Sequence, residues 1–272
     1  MKYWWISAII ILVAALMIFF TWLLRKNRNA SLITLLAISF ALLLYKSILF
    51  GIQRVDHKYP VEFSHLSYFI LGAVVTVGTK RIRPFAGFCA FVSGLGFLLA
   101  GIFAPADIYE GAASNFSWIS SIVQHEVLLF GGLLIIFNTD KFNIKEIWIP
   151  VVGMVIMCVF SVLVYYRVLY PDLLEKNHDN MVIIEILYGT ILTHVIKGKT
   201  ISVVARVFTI IGEVIFFGAV LWGYYFINNK LYEKKLEKYP EFVGNADEFN
   251  LIALVKFIIK KVNEKKLSTP NS

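Results

Sequence analysis

The feature that most constrains this chain is a series of apolar stretches, each about as long as a membrane is thick. Seven of them follow one another, at 3–24, 30–50, 63–79, 85–103, 118–137, 147–168 and 203–227. A helix that crosses the hydrocarbon core of a bilayer needs about 20 mostly apolar residues. With 58% hydrophobic and only 16% charged residues, the 272-residue chain is too apolar for the single core of a soluble domain. The sequence predicts an all-α, polytopic membrane protein with about seven transmembrane helices.

Two further apolar segments differ from these seven. Residues 181–196 are short and contain Glu185 and His194, so they either form an eighth span or a re-entrant or interfacial helix. The second reading is favoured because it places the lysine-rich tail on the cytoplasmic side. Residues 251–266 repeat apolar positions at helical spacing with lysines between them. This pattern predicts an amphipathic helix, which lies either on an anionic inner leaflet or on the protein's own loops. The predicted division is a membrane domain, 1–227, and a lysine-rich tail, 228–272.

The net charge of +8 is best explained by membrane topology, because Lys and Arg are concentrated in the cytoplasmic loops of membrane proteins. The loops at 25–28, 80–83 and 141–145 contain three, three and two Lys or Arg, whereas the loop at 104–117 contains none. Alternate loops therefore sort to opposite sides, which predicts an outer N-terminus and a cytoplasmic C-terminus in a cell membrane. We expect membrane lipids rather than nucleic acid as partners. The abundance of Lys, Ile and Phe is typical of an AT-rich bacterial genome.

No motif for a cofactor or a metal is present. Cys89 and Cys158 both lie in apolar stretches, which excludes a disulfide framework or a cysteine metal site. The sequence contains neither a close histidine cluster nor a glycine loop in the context that phosphate binding requires. Ala86, Ala90 and Gly94 recur at a spacing that lets membrane helices approach closely, so we expect them to serve packing.

Ionisable and hydroxyl groups within membrane spans are costly and therefore mark candidate sites. Glu62, Ser64 and His65 lie at the predicted outer mouth of the third span, and His125 lies about 10 Å into the fifth. Ser64, His65 and His125 can therefore share one depth. A serine with a histidine base predicts nucleophilic chemistry, with Glu62 or Glu185 orienting the imidazole. The alternative is structural: the serine bonds its own backbone and the histidine bridges two helices.

These residues resemble a known family. The sequence at 59–67, Tyr-Pro-Val-Glu-Phe-Ser-His-Leu-Ser, resembles the motif LPLHLCxxS of the bacterial YwaF-type integral membrane proteins. A glycine-rich span containing Ser93, an Ala-Pro exit at 104–105 and a histidine, His125, in the next span follow in the order that the family shows. Residues 170–189 resemble a later family segment with a tyrosine and a glycine-containing short helix. The resemblance covers about residues 59–195.

The family has animal relatives that are phospholipid acyltransferases, and it implies roles for individual residues. Ser64 stands at the position of the motif's cysteine, which carries the acyl group. Pro60 and Ser67 match the motif's proline and final serine, and His125 matches the helix histidine. Glu62 stands where the family has a histidine. His65 is a candidate substitute, but as the helix neighbour of Ser64 it is poorly aimed at the hydroxyl, and His125 on a facing helix is the better candidate base.

Two functions are therefore predicted. The first is a membrane-bound lipid acyltransferase or hydrolase without a cofactor. Its predicted catalytic residues are Ser64, His125, His65 and Glu62, and its predicted substrate contacts are Ser67, Glu126, Glu185 and His194. The second is a non-catalytic binding or transport protein that retains the pocket, with Glu126, Glu185, Glu213 and Arg206 as a site or proton relay.

Overall fold

The structure is a computed structural model that describes residues 3–52, 62–78, 80–110, 115–139, 141–166, 168, 202–238 and 259. All regular structure in these residues is helical. The α-helices are α1 (Trp4–Leu24), α2 (Arg28–Ser47), α3 (Phe63–Val77), α4 (Arg83–Phe103), α5 (Pro105–Glu110), α6 (Asn115–Leu134), α7 (Trp148–Tyr165) and α8 (Val203–Lys238). Two π-helices, Ile48–Ile52 and Ile135–Thr139, extend α2 and α6, and a 3₁₀ turn, Ile144–Glu146, precedes α7.

The predicted fold class is confirmed: a helix occupies each of the seven predicted spans. Six of these helices are long and apolar enough to cross a membrane, and α3 is a shorter apolar helix. The last helix continues to Lys238, so the predicted domain boundary at 227 falls inside it. The predicted segments 181–196 and 251–266 lie, apart from Ile259, outside the described residues.

The basic loops meet at one end of the bundle, which we call the basic end. Arg81 Nε lies 3.1 Å from Glu146 Oε1, which joins the loop before α4 to the turn before α7. Lys141 Nζ lies 3.1 Å from Glu233 Oε1, which brings the second half of α8 to the same end. The sorting of loops predicted from charge is thus reproduced in space, while the side of the membrane that this end faces stays a prediction.

The directions of α7 and α8 determine on which side of the bundle the segment between them starts and finishes. Helix α7 starts at the basic end, directly after Glu146, and α8 finishes there, where Glu233 contacts Lys141. Therefore α7 ends and α8 begins at the opposite end of the bundle. The connection between these helices starts and finishes on one side, as expected if residues 181–196 make no net crossing.

The centre of the bundle is the contact between α4 and α6, where glycines allow the backbones to approach. A Cβ on Gly94 would lie 2.6 Å from the Leu129 Cβ, and one on Gly132 would lie 2.6 Å from the Phe91 nitrogen. Ala86 and Ala90 on α4 are fully buried. The packing role predicted for the small residues of this span is therefore confirmed.

The length of α3 sets the depth of the candidate residues. Its 15 residues span about 22 Å, roughly 8 Å less than the hydrocarbon core of a bilayer. The helix ends at Gly78, which adopts a left-handed conformation with φ 82°, close to Lys80 and Arg81 at the basic end. With the basic end at a membrane surface, as its charges predict, we expect the first turn of α3 to be recessed within the apolar layer.

Candidate functional site

Helices α3, α4, α6, α7 and α8 line a cavity of about 860 Å³ that is open on one side. Its walls are mostly apolar side chains, such as Phe88, Val92, Met154 and Phe217. The polar residues in the lining come from four of the helices and the residue before α3: Glu62, Ser64, Ser93, His125 and Glu213. An apolar cavity of this size with a few polar groups is typical of a small-molecule or lipid site.

The two residues predicted as nucleophile and base both line this cavity. Helices α3 and α6 run in the same direction, and Leu71 packs against Gly131, 60 residues further along. Applying the same offset of 60 residues to His65, the neighbour of Ser64, places His125 at the same level along the helix axes. A ring contact agrees, because the Tyr68 and His125 ring centroids lie 5.8 Å apart. The shared depth predicted from counting residues is therefore found in the structure.

The imidazole of His125 has a defined orientation. Its ring stacks on Phe97 with centroids 4.1 Å apart and an interplanar angle of 10°. Its Nδ1 lies 2.8 Å from the backbone oxygen of Ser121. Because a carbonyl only accepts hydrogen bonds, Nδ1 is the donor and the lone pair resides on Nε2. His125 therefore has the tautomer that a base acting through Nε2 requires.

Ser64 and Ser67, one turn apart on α3, have different environments. The Ser67 hydroxyl lies 2.7 Å from the Phe63 carbonyl oxygen and 3.2 Å from that of Cys89, and its side chain is fully buried. It joins α3 to α4 and is not among the residues that line the cavity, and its role as a substrate contact stays a prediction. The Ser64 hydroxyl forms no hydrogen bond with any described residue, and Ser64 is among the residues that line the cavity.

A family model supplies the classification. The model of the TMEM164 family matches residues 1–183. This chain belongs to the TMEM164 family. No curated protein and no solved structure matches it. The match shows a membrane protein family, and the predicted relation to bacterial YwaF-type proteins and to acyltransferases stays a prediction. In this TMEM164-family protein the matched part includes Ser64 and His125 but not α8.

The other two residues predicted at the mouth of the third span, Glu62 and His65, have different positions relative to the cavity. Glu62 lines the cavity, whereas His65 is not among the lining residues. The His65 Nε2 lies 3.8 Å from Glu62 Oε2, and its ring contacts Phe50 with centroids 5.0 Å apart. Consecutive residues of a helix point about 100° apart, so His65 and Ser64 point to different sides of α3. Of the two histidines, His125 is the one that lines the cavity with Ser64.

Glu126 lies next to His125 in sequence but outside the cavity. Its side chain is fully buried, and neither carboxylate oxygen has a partner among the described residues. Ile122 and Leu129, on the same face of α6, pack towards α1 and α4. Its side chain therefore lies apart from the cavity, and its role as a substrate contact stays a prediction. Glu185 and His194 lie outside the described residues.

The structure adds residues that the sequence reasoning did not assign to the site. Ser93 lines the cavity from α4, and Phe97 supports His125. Glu213, predicted only for the transport function, also lines the cavity, while Arg206 does not. The signal for Ser93 was a lone hydroxyl among glycines in an apolar helix. In the part of the chain that the structure describes, no group of His, Cys, Asp or Glu is arranged to hold a metal.

Proposed function

We propose that this TMEM164-family protein transfers or hydrolyses lipid acyl chains, with Ser64 as nucleophile and His125 as base. The observation that carries the proposal is that both side chains line one recessed, apolar cavity at a common depth. A cavity of 860 Å³ walled by apolar side chains suits an acyl chain. The recessed first turn of α3 suits a substrate that reaches the site from within the membrane.

The proposed reaction has two half-reactions. In the first, His125 Nε2 takes the proton of the Ser64 hydroxyl while Ser64 Oγ attacks the carbonyl carbon of a lipid ester. The tetrahedral intermediate collapses, the bond to the alcohol oxygen breaks, and that oxygen takes the proton from His125. The products are a lysolipid and an acyl-serine. In the second, an acceptor hydroxyl or water loses its proton to His125 and attacks the acyl-serine, and Ser64 leaves with that proton.

The start of α3 supplies candidate donors for the oxyanion. The first backbone N–H groups of an α-helix have no partner within the helix, and they favour negative charge. Ser64 is the second residue of α3, and the Glu62 side chain does not cap the helix. The amides of Phe63 and Ser64 are therefore our candidates for stabilising the oxyanion.

The substitution of the resembling family's cysteine by Ser64 raises the demand on the base. A serine is a weak nucleophile until a base takes its proton, whereas a cysteine reacts as a thiolate. The Nδ1–carbonyl contact of His125 supports a serine mechanism, because it holds the lone pair on Nε2. A Ser64→Cys variant therefore retains acyl transfer and becomes reactive towards thiol reagents.

The test is fluorophosphonate labelling and acyl transfer in membranes. Ser64→Ala abolishes both, and His125→Ala lowers both by about 100-fold or more, the usual contribution of a general base. The matched control is Ser67→Ala, which removes a hydroxyl one turn further along the same helix but outside the cavity. Equal labelling of wild type, Ser64→Ala and His125→Ala would overturn the proposal.

A further inference from the structure

We infer that a second cavity, at the basic end of the bundle, binds the phosphate group of an anionic phospholipid. This cavity, which we call the basic pocket, has a volume of about 340 Å³ and lies between the residues before α4 and the segment that joins α6 to α7. Its charged lining residues are Lys80, Arg81, Arg83, Lys141 and Glu146. The pocket and Ser64 lie at opposite ends of α3, a helix about 22 Å long. The inference is therefore independent of the proposed function.

The charge of the lining selects an anion. Its four cations are accompanied by one carboxylate, Glu146, whose Oε1 lies 3.1 Å from Arg81 Nε. Lys141 pairs with Glu233, which is not part of the lining, and counting this carboxylate still leaves a net charge of +2. Such a site attracts an anion and repels a cation. A phosphate monoester, which has about two negative charges at neutral pH, matches this charge.

Arg83 distinguishes the basic pocket from an ordinary topology signal. Lys and Arg that orient a membrane protein act from exposed loops, as Lys26 does between α1 and α2. Arg83 is only 2% exposed, although it belongs to the lining. It is also the first residue of α4, where Ile82 provides no side-chain cap and the helix dipole favours negative charge. A guanidinium fixed by burial at a helix start is preorganised for a phosphate, which arginine binds through two parallel hydrogen bonds.

The surroundings of the basic pocket indicate that the phosphate is carried by a lipid. Ile82 and Ile144, each next to a lining residue in sequence, are exposed, and so is Trp148 at the start of α7. Tryptophan is enriched where the apolar layer meets the headgroups, and basic pockets between membrane helices bind lipid headgroups. From Trp148 a row of exposed apolar side chains continues along α7 through Val152 and Ile156. This row suits the acyl chains of a phospholipid, whereas a soluble phosphate compound would gain nothing from it.

The experiment measures displacement of a fluorescent dioleoyl phosphatidic acid from the purified full chain in an uncharged detergent. The unlabelled competitors are dioleoyl phosphatidic acid, dioleoylglycerol, which lacks the phosphate, and glycerol 3-phosphate, which lacks the chains. One cation near an anionic headgroup contributes a factor of about five, so a net charge of two contributes about 30-fold. We expect phosphatidic acid to compete about 30-fold more strongly than dioleoylglycerol and to exceed glycerol 3-phosphate as well. Lys80→Gln combined with Lys141→Gln removes most of the preference over dioleoylglycerol.

The matched control removes two lysines that lie at the same end of the bundle but outside the pocket. Lys26 follows α1, whose end is joined to the end of α6 by the hydrogen bond from Asn138 Nδ2 to the Thr21 carbonyl. Lys234 follows Glu233 on α8, and both lysines are exposed. Lys26→Gln combined with Lys234→Gln keeps the preference, and thermal unfolding checks that both double variants are folded.

Three results would overturn the inference. Equal displacement by dioleoylglycerol would show that the phosphate is not recognised. Equal displacement by glycerol 3-phosphate would assign the pocket to a soluble phosphate compound. An equal loss of preference in the two double variants would mean that the net charge of this end, and not the pocket, attracts the lipid. None of these results alters the expected labelling of Ser64, so the proposed function is tested separately.

Discussion

Asn228 fastens α8 to the rest of the bundle, and we predict that its loss loosens one wall of the cavity. Its side chain is 1% exposed. Its Nδ2 donates to the Ile136 carbonyl over 2.7 Å, and its Oδ1 accepts from the Phe142 backbone N–H over 2.8 Å. Among the described residues, those near the start of α8, such as Phe208, are largely exposed. Attachment of α8 therefore depends on its second half.

The magnitude follows from the two hydrogen bonds. Between membrane helices such a bond contributes about 0.6 kcal/mol on average and at most about 1.7. Asn228→Ala removes both bonds and leaves a buried N–H and a buried carbonyl without their partner. We expect a loss of about 1–3 kcal/mol in the free energy of unfolding. Because α8 contributes Glu213 and Phe217 to the cavity wall, lipid binding is expected to weaken as well.

The assay is denaturation of the purified protein in detergent micelles, followed by helix content. The matched control is the neighbouring Asn229, whose Nδ2 bonds only the Tyr225 carbonyl of its own helix at 2.9 Å. Asn229→Ala is expected to cost about 0.6 kcal/mol or less, because it removes one hydrogen bond within a single helix. The reasoning is refuted if Asn228→Ala and Asn229→Ala destabilise the protein equally.

Three further predictions concern packing and the site. Gly94→Leu forces a side chain against Leu129 and is expected to cost about 1–3 kcal/mol in unfolding experiments; unchanged stability would mean that α4 and α6 do not approach as closely as described. Phe97→Ala removes the ring on which His125 stacks, so we expect labelling of the proposed nucleophile to fall several-fold while the fold is kept, and an unaltered labelling rate would contradict this. Glu126→Gln removes a buried carboxylate that lies outside the cavity. We expect thermal unfolding to show equal or higher stability and acyl transfer to be unchanged. A loss of activity in the folded variant would assign Glu126 a role at the site.

The helices, and the depth of individual residues along them, could be predicted from the sequence because both depend on the number of residues in each apolar stretch. The length of each apolar stretch predicts a span, and the number of residues from its end predicts depth at 1.5 Å per residue. This is why His125 and Ser64 could be placed at one level before any contact was known. The charge of the loops likewise predicted that Arg81 and Lys141 lie at the same end of the bundle, and the structure places both there.

The direction in which each side chain points could not be predicted from the sequence by counting residues. Ser64 and Ser67 lie on one short helix in nearly identical sequence surroundings, yet one faces the cavity and the other a backbone carbonyl of α4. Glu126 follows His125 directly, but the two point to different neighbours. Which way a helix is turned about its axis depends on the helices that pack against it, and the hydrophobic pattern of a nearly all-apolar span carries little of that information.

The sequence by itself determined that this protein is a bundle of membrane helices, how its loops sort, and that a serine and a histidine lie at one depth. These properties follow from length, composition and charge, which act locally. Only the tertiary structure decided that Ser64, His125, Ser93 and Glu213 line one cavity, because that depends on helix rotation. The rotation is set by contacts between distant residues, such as the close approach of Gly94 to Leu129, in which shape rather than hydrophobicity selects the partner.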